Sequence, residues 1–376
     1  MPEDPLERIE KNLDSWNKGL RDPEAAQDRV LSELLKCYSK TDYGNSLGSP
    51  EIRNVDEYQR VFPIVRYKDL EKLFSKVRDE DFSVFLDAEP ITWVMTRGTT
   101  GESKIIPVTP HHLEDLIRCG SRAVLNFSIN HGGLALLVGD VLNLQFPSNM
   151  SRIKTGDREI IYGFSSGTYA KLNPMMMGLS LFPRQEEIDS LESDLTAEGW
   201  ERRYEYIFQK AKDEKIVSVI GVAPVQTGFA RYIKKKHGLY PRDLWKLQVI
   251  YSTSVSKIQT RYAHELRRMY GEVPLVEMYT ATEGAFAQQH DDLPYVSPNY
   301  DVYFFEVETS SGIKMLHELK RGGWGRLIVS TRMLPRYRIG DLIEAIGKNY
   351  FRVFGRDKLE VLIEHIAYRS LYRWFL

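Results

Sequence analysis

Cysteine is scarce in this sequence, because Cys37 and Cys119 are the only two among 376 residues. A small secreted domain held together by disulfides uses more, so both thiols are expected to be free in a reducing, cytoplasmic compartment. Neither sign of charge predominates, since 51 lysines and arginines are balanced by 52 aspartates and glutamates. A nearly neutral chain has no electrostatic reason to bind nucleic acid or an anionic membrane surface.

Long apolar runs are also absent. The longest, around Gly133–Val138, is soon interrupted by Asp140 and is too short to span a bilayer. Residues 1–5, Met-Pro-Glu-Asp-Pro, are acidic and have no apolar core, so they do not form a secretory signal. The histidines lack the spacing of a zinc site. We therefore expect a cytoplasmic protein that has no membrane or nucleic-acid partner.

Helical and strand-like patterns alternate through the middle of the chain. Strands are expected near residues 91–95, 134–138, 217–221, 247–251 and 275–278. Helices are expected near residues 110–126, 186–196, 199–213, 223–237 and 257–270. This order predicts an α/β fold with mostly parallel sheets flanked by helices. From residue 299 onward the strands are short and separated by turns, which predicts a smaller antiparallel part, such as a distorted barrel.

The stretch from Met95 to Thr109, MTRGTTGESKIIPVT, has the composition of a phosphate-binding loop. Glycines let backbone N–H groups approach phosphate oxygens, hydroxyls add donors, and a lysine adds positive charge. These components are Gly98, Thr99, Thr100, Gly101, Ser103 and Lys104. The order differs from that of the P-loop and of the dinucleotide loop. Taken alone, the stretch is explained equally well by a tight polar turn without a ligand.

Two later stretches carry acidic residues beside possible ligand contacts. At the end of a predicted strand, Tyr279 could stack on a base and Glu283 could hold magnesium together with phosphate oxygens. After a glycine turn, Asp341 could accept two hydrogen bonds from a ribose diol. The structural alternatives are a buried tyrosine with a solvated glutamate, and a hairpin in which Asp341 satisfies its own turn.

These motifs and their order resemble those of the adenylate-forming superfamily, which includes acyl-CoA synthetases, peptide-synthetase adenylation domains and luciferases. The matching segments are Thr96–Lys104, Tyr279–Glu283, Tyr337–Asp341 and Gly355–Arg356. Within that superfamily, FPIVRYKDLEKLF, PITWVMTRGTTGESKIIPVTP, YTATEGAFAQQ and YFFEVE are similar to the Gretchen Hagen-three family of acyl-acid amido synthetases. The similarity extends from about Tyr58 to Lys358.

The resemblance implies an enzyme, a ligase that uses ATP and magnesium. It would activate a small-molecule carboxylic acid as an acyl-adenylate with release of pyrophosphate, and then transfer the acyl group to an amino acid or amine. An acyl-CoA ligase that transfers the acyl group to CoA is the alternative, and a nucleotide-binding protein without activity is a third. The sequence leaves the acid and the oligomeric state open.

The resemblance also implies roles for individual residues. Lys104, Glu283 and Thr99 would be catalytic, with Thr99, Thr100 and Lys104 stabilising the leaving pyrophosphate and Glu283 holding magnesium. The nucleotide-binding residues would be Thr96, Arg97, Gly98, Thr99, Thr100, Gly101, Ser103, Lys104, Ser252, Thr253, Ser254, Tyr279, Thr280, Thr282, Asp341 and Arg356. The acyl group would lie against Val222, Ala223 and Pro224, with Tyr279 and Ala281 opposite. Arg97 is a departure, because the family usually has serine there.

The expected domain organisation follows the same resemblance. Residues 1–354 would form the large adenylate-forming domain, with the α/β body in 1–298 and the antiparallel part in 299–354. Residues 355–376 would be the hinge and a remnant of a C-terminal lid domain that is absent or truncated. The lid usually contributes a lysine to adenylation, and no lysine follows Lys358.

Overall fold

The computed structural model describes residues 5–79, 81–96, 103–133, 139–155, 158–173, 175–176, 179–191 and 194–375. Two predictions therefore lie outside the described residues: the strand at 134–138 and the loop segment 97–101. Among the described residues, no helix combines the length and the apolar character needed to cross a membrane.

The helices are α1 Pro5–Arg21, α2 Pro23–Tyr38, α3 Asp42–Ser46, α4 Val55–Val61, α5 Tyr67–Arg78, α6 Pro110–His131, α7 Ser165–Leu172, α8 Gln185–Asp189, α9 Ala197–Ala211, α10 Ala223–His237, α11 Pro241–Leu244, α12 Ala263–Tyr270 and α13 Leu359–Phe375. The strands are β1 Thr92–Met95, β2 Ile105–Val108, β3 Asp140–Leu144, β4 Ser151–Thr155, β5 Arg158–Phe164, β6 Met175–Met176, β7 Leu179–Phe182, β8 Ile216–Val222, β9 Val249–Thr253, β10 Leu275–Ala281, β11 Gly284–Gln288, β12 Ser297–Pro298, β13 Phe304–Thr309, β14 Gly312–Met315, β15 Trp324–Ser330, β16 Tyr337–Gly347 and β17 Tyr350–Arg356.

Three sheets organise these strands, and they confirm the predicted α/β class. The largest has eight strands in the order β12-β11-β10-β9-β8-β3-β7-β6. Its centre, from β10 to β7, is parallel, and the pairs toward both edges are antiparallel. A four-stranded sheet, β2-β1-β5-β4, carries the hairpin of the glycine-rich stretch. The antiparallel part is the five-stranded sheet β14-β13-β15-β16-β17.

Helix α6 follows the glycine-rich stretch and begins as its sequence predicts. The Thr109 hydroxyl accepts a 3.3 Å hydrogen bond from the His112 backbone N–H, and Pro110 occupies the first turn. Threonine at the cap and proline at the first position both favour a helix start. From there α6 packs against β10 and β11 on one face of the large sheet.

One predicted helix is wrong in length. The helix expected near residues 186–196 ends at Asp189, and α9 begins only at Ala197. Thr196 starts that next helix, because its hydroxyl accepts a 3.0 Å hydrogen bond from the Gly199 N–H. Serine and aspartate side chains between the two helices compete with the backbone for hydrogen bonds, which disfavours a continuous helix.

A buried ion pair fastens α6 to the chain that enters the antiparallel sheet. The two terminal guanidinium nitrogens of Arg122 donate to the Asp301 carboxylate, at 2.7 and 2.6 Å. Neither side chain is more than 1% exposed. The Asn299 amide oxygen accepts another hydrogen bond from Arg122, at 2.8 Å. This ion pair therefore ties α6, which packs on the large sheet, to the residues that lead into β13 of the antiparallel sheet.

Candidate functional site

A large cavity lies at the carboxyl ends of the parallel strands. Val222 ends β8, Thr253 ends β9 and Ala281 ends β10, and all three line it. Its volume is about 1490 Å³. Ligands in open α/β sheets bind outside the carboxyl ends of strands, so this is the expected place for a site.

Thr96 and Lys104 close the base of the loop between β1 and β2. The Thr96 N–H donates to the Lys104 carbonyl at 2.9 Å, and the Lys104 N–H donates to the Thr96 hydroxyl at 3.1 Å. Both residues line the cavity, whereas Ser103 is exposed and does not. The other predicted loop residues lie outside the described residues; they are Arg97, Gly98, Thr99, Thr100 and Gly101.

The Lys104 ammonium reaches into the cavity and meets Tyr337. Its Nζ donates to the Tyr337 hydroxyl at 3.0 Å and lies 5.9 Å from the centre of the Tyr67 ring. Among the described residues, no carboxylate forms an ion pair with Lys104, so its charge is available to an anionic ligand. Burial, and then the charge of the nearby Glu283 carboxylate, raises the pKa of Tyr337. The neutral phenol therefore accepts a hydrogen bond from the lysine and lies close to the glutamate.

Asp341 is held from two sides. The Tyr279 hydroxyl donates to its Oδ2 at 2.7 Å, and Arg356 Nη1 donates to its Oδ1 at 2.8 Å. Asp341 and Arg356 are directly paired on β16 and β17. Gly340 precedes them with φ +90°, and a Cβ there would lie 3.0 Å from an Arg356 nitrogen. Glycine therefore permits both the backbone turn and the close approach of the guanidinium.

Tyr279 belongs to the packed interior as well as to the cavity wall, so it is not a free ring that only stacks on a ligand. Its ring is buried between Phe286 and Phe351, with ring centres 5.8 Å away in each case. Burial, and then the Asp341 carboxylate, raises the pKa of Tyr279, so the hydroxyl remains a proton donor. The residue lines the cavity and orients Asp341 at the same time.

The segment after β9 is only partly at the cavity. Thr253 and Ser254 line it, and the Thr253 hydroxyl hydrogen-bonds to that of Thr280. Ser254 has φ +64°, a left-handed conformation that serine adopts infrequently. Ser252 does not line the cavity: it is fully buried and its hydroxyl donates to the Gln226 side chain of α10. Alternation along the strand directs Ser252 to the opposite face from Thr253.

The tight turn of Thr282 and Glu283 between β10 and β11 is fixed by contacts from two helices. Tyr169 of α7 donates to the Thr282 carbonyl at 3.1 Å, and the Ser165 hydroxyl lies 3.0 Å from that of Thr282. The His112 ring of α6 lies against the Thr282 main chain, and burial lowers its pKa to about 4. Glu283 is 4% exposed and lines the cavity, so it is not the solvated strand-end residue of the alternative interpretation.

Ser165 also lies within a G-x-S-x-G spacing, Gly163 to Gly167, at a strand-to-helix junction. That spacing is typical of the nucleophile elbow of α/β hydrolases, where the serine has a strained backbone and a histidine partner. Ser165 has no positive φ, and its hydroxyl contacts Thr282. The geometry therefore gives Ser165 a structural contact instead of a nucleophilic role.

Only three of the five residues that were expected to contact the acyl group line the cavity. Val222, Tyr279 and Ala281 line the cavity, whereas Ala223 is buried away from it and Pro224 is exposed. Helix α6 supplies a second wall that the motifs did not indicate, formed by Leu116, Ile117 and Gly120. Their three- and four-residue spacing is the available sequence signal, because it places them on one helical face. Glu277 also lines the cavity, and burial raises its pKa to about 7.

Comparisons with known proteins bear on the family and the fold of this chain. The model of the GH3 family N-terminal domain, GH3 being the Gretchen Hagen-three family, matches residues 12–212, more than half of the chain. A jasmonoyl–L-amino acid synthetase of Nicotiana attenuata, JAR4, is 23% identical over 404 aligned positions, which cover 90% of this chain and 69% of that protein.

Two solved structures share the fold. The acyl acid amido synthetase AtGH3.15, in complex with 2,4-DB, superposes with a TM-score of 0.77 at 16% identity, covering 95% of this chain and 72% of that one. A 2-hydroxyisobutyryl-CoA ligase in complex with 2-HIB-AMP superposes with a TM-score of 0.63 at 12% identity, covering 89% of this chain and 69% of that one. The predicted adenylate-forming fold is therefore confirmed.

Proposed function

Because the chain belongs to the GH3 family, we propose that it activates a carboxylic acid with ATP and transfers the acyl group to an amino acid. The observation that supports this most directly is the convergence of Lys104, Glu283 and Asp341 on one cavity. These three residues come from segments that are far apart in the sequence. If the three segments were only a polar turn, a solvated strand end and a hairpin, nothing would require their side chains to line the same cavity.

In the first half-reaction, a carboxylate oxygen of the acid attacks the α-phosphorus of ATP. A new O–P bond forms, the bond to the bridging oxygen breaks, and pyrophosphate leaves. Catalysis of such a transfer consists mainly of positioning and charge stabilisation. Lys104 supplies positive charge toward the leaving pyrophosphate, and its contact with Tyr337 fixes the direction of its ammonium. Thr96 holds the loop base that presents this lysine.

Asp341 would bind the ribose. Each of its oxygens already accepts one protein hydrogen bond, from Tyr279 and from Arg356. A carboxylate oxygen can accept two, so one position on each oxygen remains for the two ribose hydroxyls. The base would lie between Tyr279 and the Thr253–Ser254 segment, which line the same cavity.

Glu283 fits magnesium chemically. Magnesium is usually bound by one or two carboxylates together with substrate phosphate oxygens, and Glu283 is a cavity-lining carboxylate close to Tyr337. Within the described part of the chain, no group of three acidic, histidine or cysteine residues could hold a metal ion without such help from a substrate. When bound, the ion would neutralise charge on the phosphate oxygens.

In the second half-reaction, the amine nitrogen of the acceptor attacks the acyl carbonyl carbon and an amide bond forms. The bond from this carbon to the phosphate oxygen breaks, AMP leaves, and the nitrogen releases a proton. The proposed large domain, residues 1–354, contains the whole site except Gly355 and Arg356, which fall in the proposed hinge at 355–376. We place the reaction in the cytosol, where the buried free thiols of Cys37 and Cys119 stay reduced.

The test is a screen for pyrophosphate release over a library of carboxylic acids, with amino acids, with CoA, or with neither. The proposal requires acid-dependent release and the appearance of an acyl amino acid amide. A thioester formed only with CoA would favour the ligase alternative. Nucleotide binding without release for any acid would favour a binding protein.

A further inference from the structure

The cavity is larger than an ordinary small-molecule site. Its volume of about 1490 Å³ exceeds the roughly 300–1,000 Å³ that is typical of such pockets. Part of the space, here named the α6 arm, lies between α6 and the face of the eight-stranded sheet. Its apolar lining consists of Leu116, Ile117 and Gly120 from α6 and of Leu181, Ile220 and Met278 from the sheet.

Gly120 is the unusual member of this lining. It lies in the interior of α6, where glycine weakens a helix relative to alanine. A Cβ added at this position would have no heavy atom within 4 Å, so no neighbouring group requires a glycine there. The missing side chain leaves open space beside the helix, and Gly120 lines the cavity at this point.

The length of the α6 arm follows from the contact of His112 with the Thr282 main chain. That contact places the start of α6 beside the turn that carries Glu283. Gly120 comes eight residues later, which is about 12 Å along the helix axis at 1.5 Å per residue. A carboxylate that reacts with the α-phosphate must lie near the Glu283 end, so the body of its molecule can extend about 12 Å toward Gly120.

We propose that the α6 arm binds the extended apolar body of the carboxylic acid, and that Gly120 sets the greatest length accepted. The substrate class is therefore an acid with an elongated hydrocarbon chain, and not a compact ring acid. This assignment rests on the proposed function, because the acid is a substrate only if the protein forms acyl-adenylates. The apolar lining binds such a chain through the hydrophobic effect, which scales with buried area.

The experiment measures the binding of unbranched saturated carboxylic acids of increasing length by isothermal titration. In the wild-type protein, the dissociation constant is expected to fall by about threefold to fourfold per methylene until the arm is filled, and then to level off. In Gly120→Leu, the longest acids lose tenfold or more in affinity, while the shortest change by less than twofold.

Gly347→Leu is the matched control. Gly347 also has no heavy atom within 4 Å of an added Cβ, and it does not line the cavity. This variant should therefore bind every acid as the wild-type protein does. Gly120→Met, with an unbranched side chain, repeats the test if Gly120→Leu does not fold. Affinity that is independent of chain length, or a uniform loss for short and long acids in both Gly120 variants, overturns the assignment.

Pyrophosphate exchange on the same acids separates this assignment from the proposed function. Length-dependent binding that disappears in Gly120→Leu, without exchange for any acid, contradicts the proposed function and upholds the α6 arm as an apolar-acid site. Exchange confined to compact acids and unchanged in Gly120→Leu upholds the function and overturns the α6 arm.

Discussion

The Tyr279 hydroxyl and the Asp341 carboxylate are 2.7 Å apart, although 62 residues separate them in the chain. Their hydrogen bond joins β10 of the parallel sheet to β16 of the antiparallel sheet, at the wall of one cavity. The proposed ribose contact therefore depends on how the two sheets are held together, as well as on Asp341 itself.

The first prediction concerns this carboxylate. Asp341→Ala removes the acceptor for both ribose hydroxyls and leaves Arg356 without its carboxylate partner. Hydrogen bonds to charged groups contribute about 1.5–3 kcal/mol each, so ATP affinity should fall tenfold or more. Equilibrium binding of ATP measures this loss. Tyr279→Phe is the comparison, because it retains Asp341 and the ring and should weaken binding less; an equal or larger loss would speak against Asp341 as the ribose ligand.

The second prediction concerns Glu283. Glu283→Gln preserves the size of the side chain and removes the charge that magnesium requires. Acid-dependent pyrophosphate exchange should fall a hundredfold or more, which corresponds to roughly 3 kcal/mol for the loss of one electrostatic stabiliser. The variant should also need more magnesium to reach half of its maximal rate. Undiminished exchange would assign Glu283 to a purely structural role.

The third prediction concerns stability. Asp301→Asn leaves the guanidinium of Arg122 buried beside an uncharged amide. Breaking a buried pair by removal of one partner typically costs about 3–5 kcal/mol, so the free energy of unfolding in urea should fall by about that amount. Asp14→Asn is the control, because its pair with Lys18 is exposed and should contribute less than about 1 kcal/mol. Similar losses in both variants would refute this distinction.

The fourth prediction concerns pH. Burial raises the pKa of Glu277 from 4.5 to about 7, so the folded state holds a proton that the unfolded state releases at lower pH. The protonated carboxyl therefore stabilises the fold fully below pH 4.5, and this stabilisation is lost as the pH rises through about 7. Between pH 5 and pH 7 the free energy of unfolding should decrease relative to Glu277→Gln, by up to about 1.4 kcal/mol per pH unit. If the free energy of unfolding varied with pH in the same way in both proteins, the raised pKa of Glu277 would be contradicted.

The sequence predicted the elements with long, regular patterns. Strands β1, β8, β9 and β10 and helices α6, α9 and α10 lie where periodicity and caps placed them. The region from β3 to β7 was largely missed, since its strands are short and interleaved with polar turns that periodicity does not resolve.

Residues of the site could be predicted from the sequence only where a motif identifies them. Lys104, Glu283 and Asp341, which the motifs name, all line one cavity, and their roles there stay predictions. Contacts between distant segments could not be predicted from the sequence, including the position of Tyr337 against both Lys104 and Glu283. The burial of Ser252 and the open face at Gly120 likewise depend on how strands and helices pack, which local sequence does not specify.

Acid-dependent exchange of labelled pyrophosphate into ATP is the direct assay of acyl-adenylate formation in this cavity. We expect exchange that requires a carboxylic acid and falls a hundredfold or more in Lys104→Ala, since that change removes the charge facing the leaving pyrophosphate. ATP binding without exchange for any acid, or equal exchange in the wild-type protein and Lys104→Ala, would contradict this expectation.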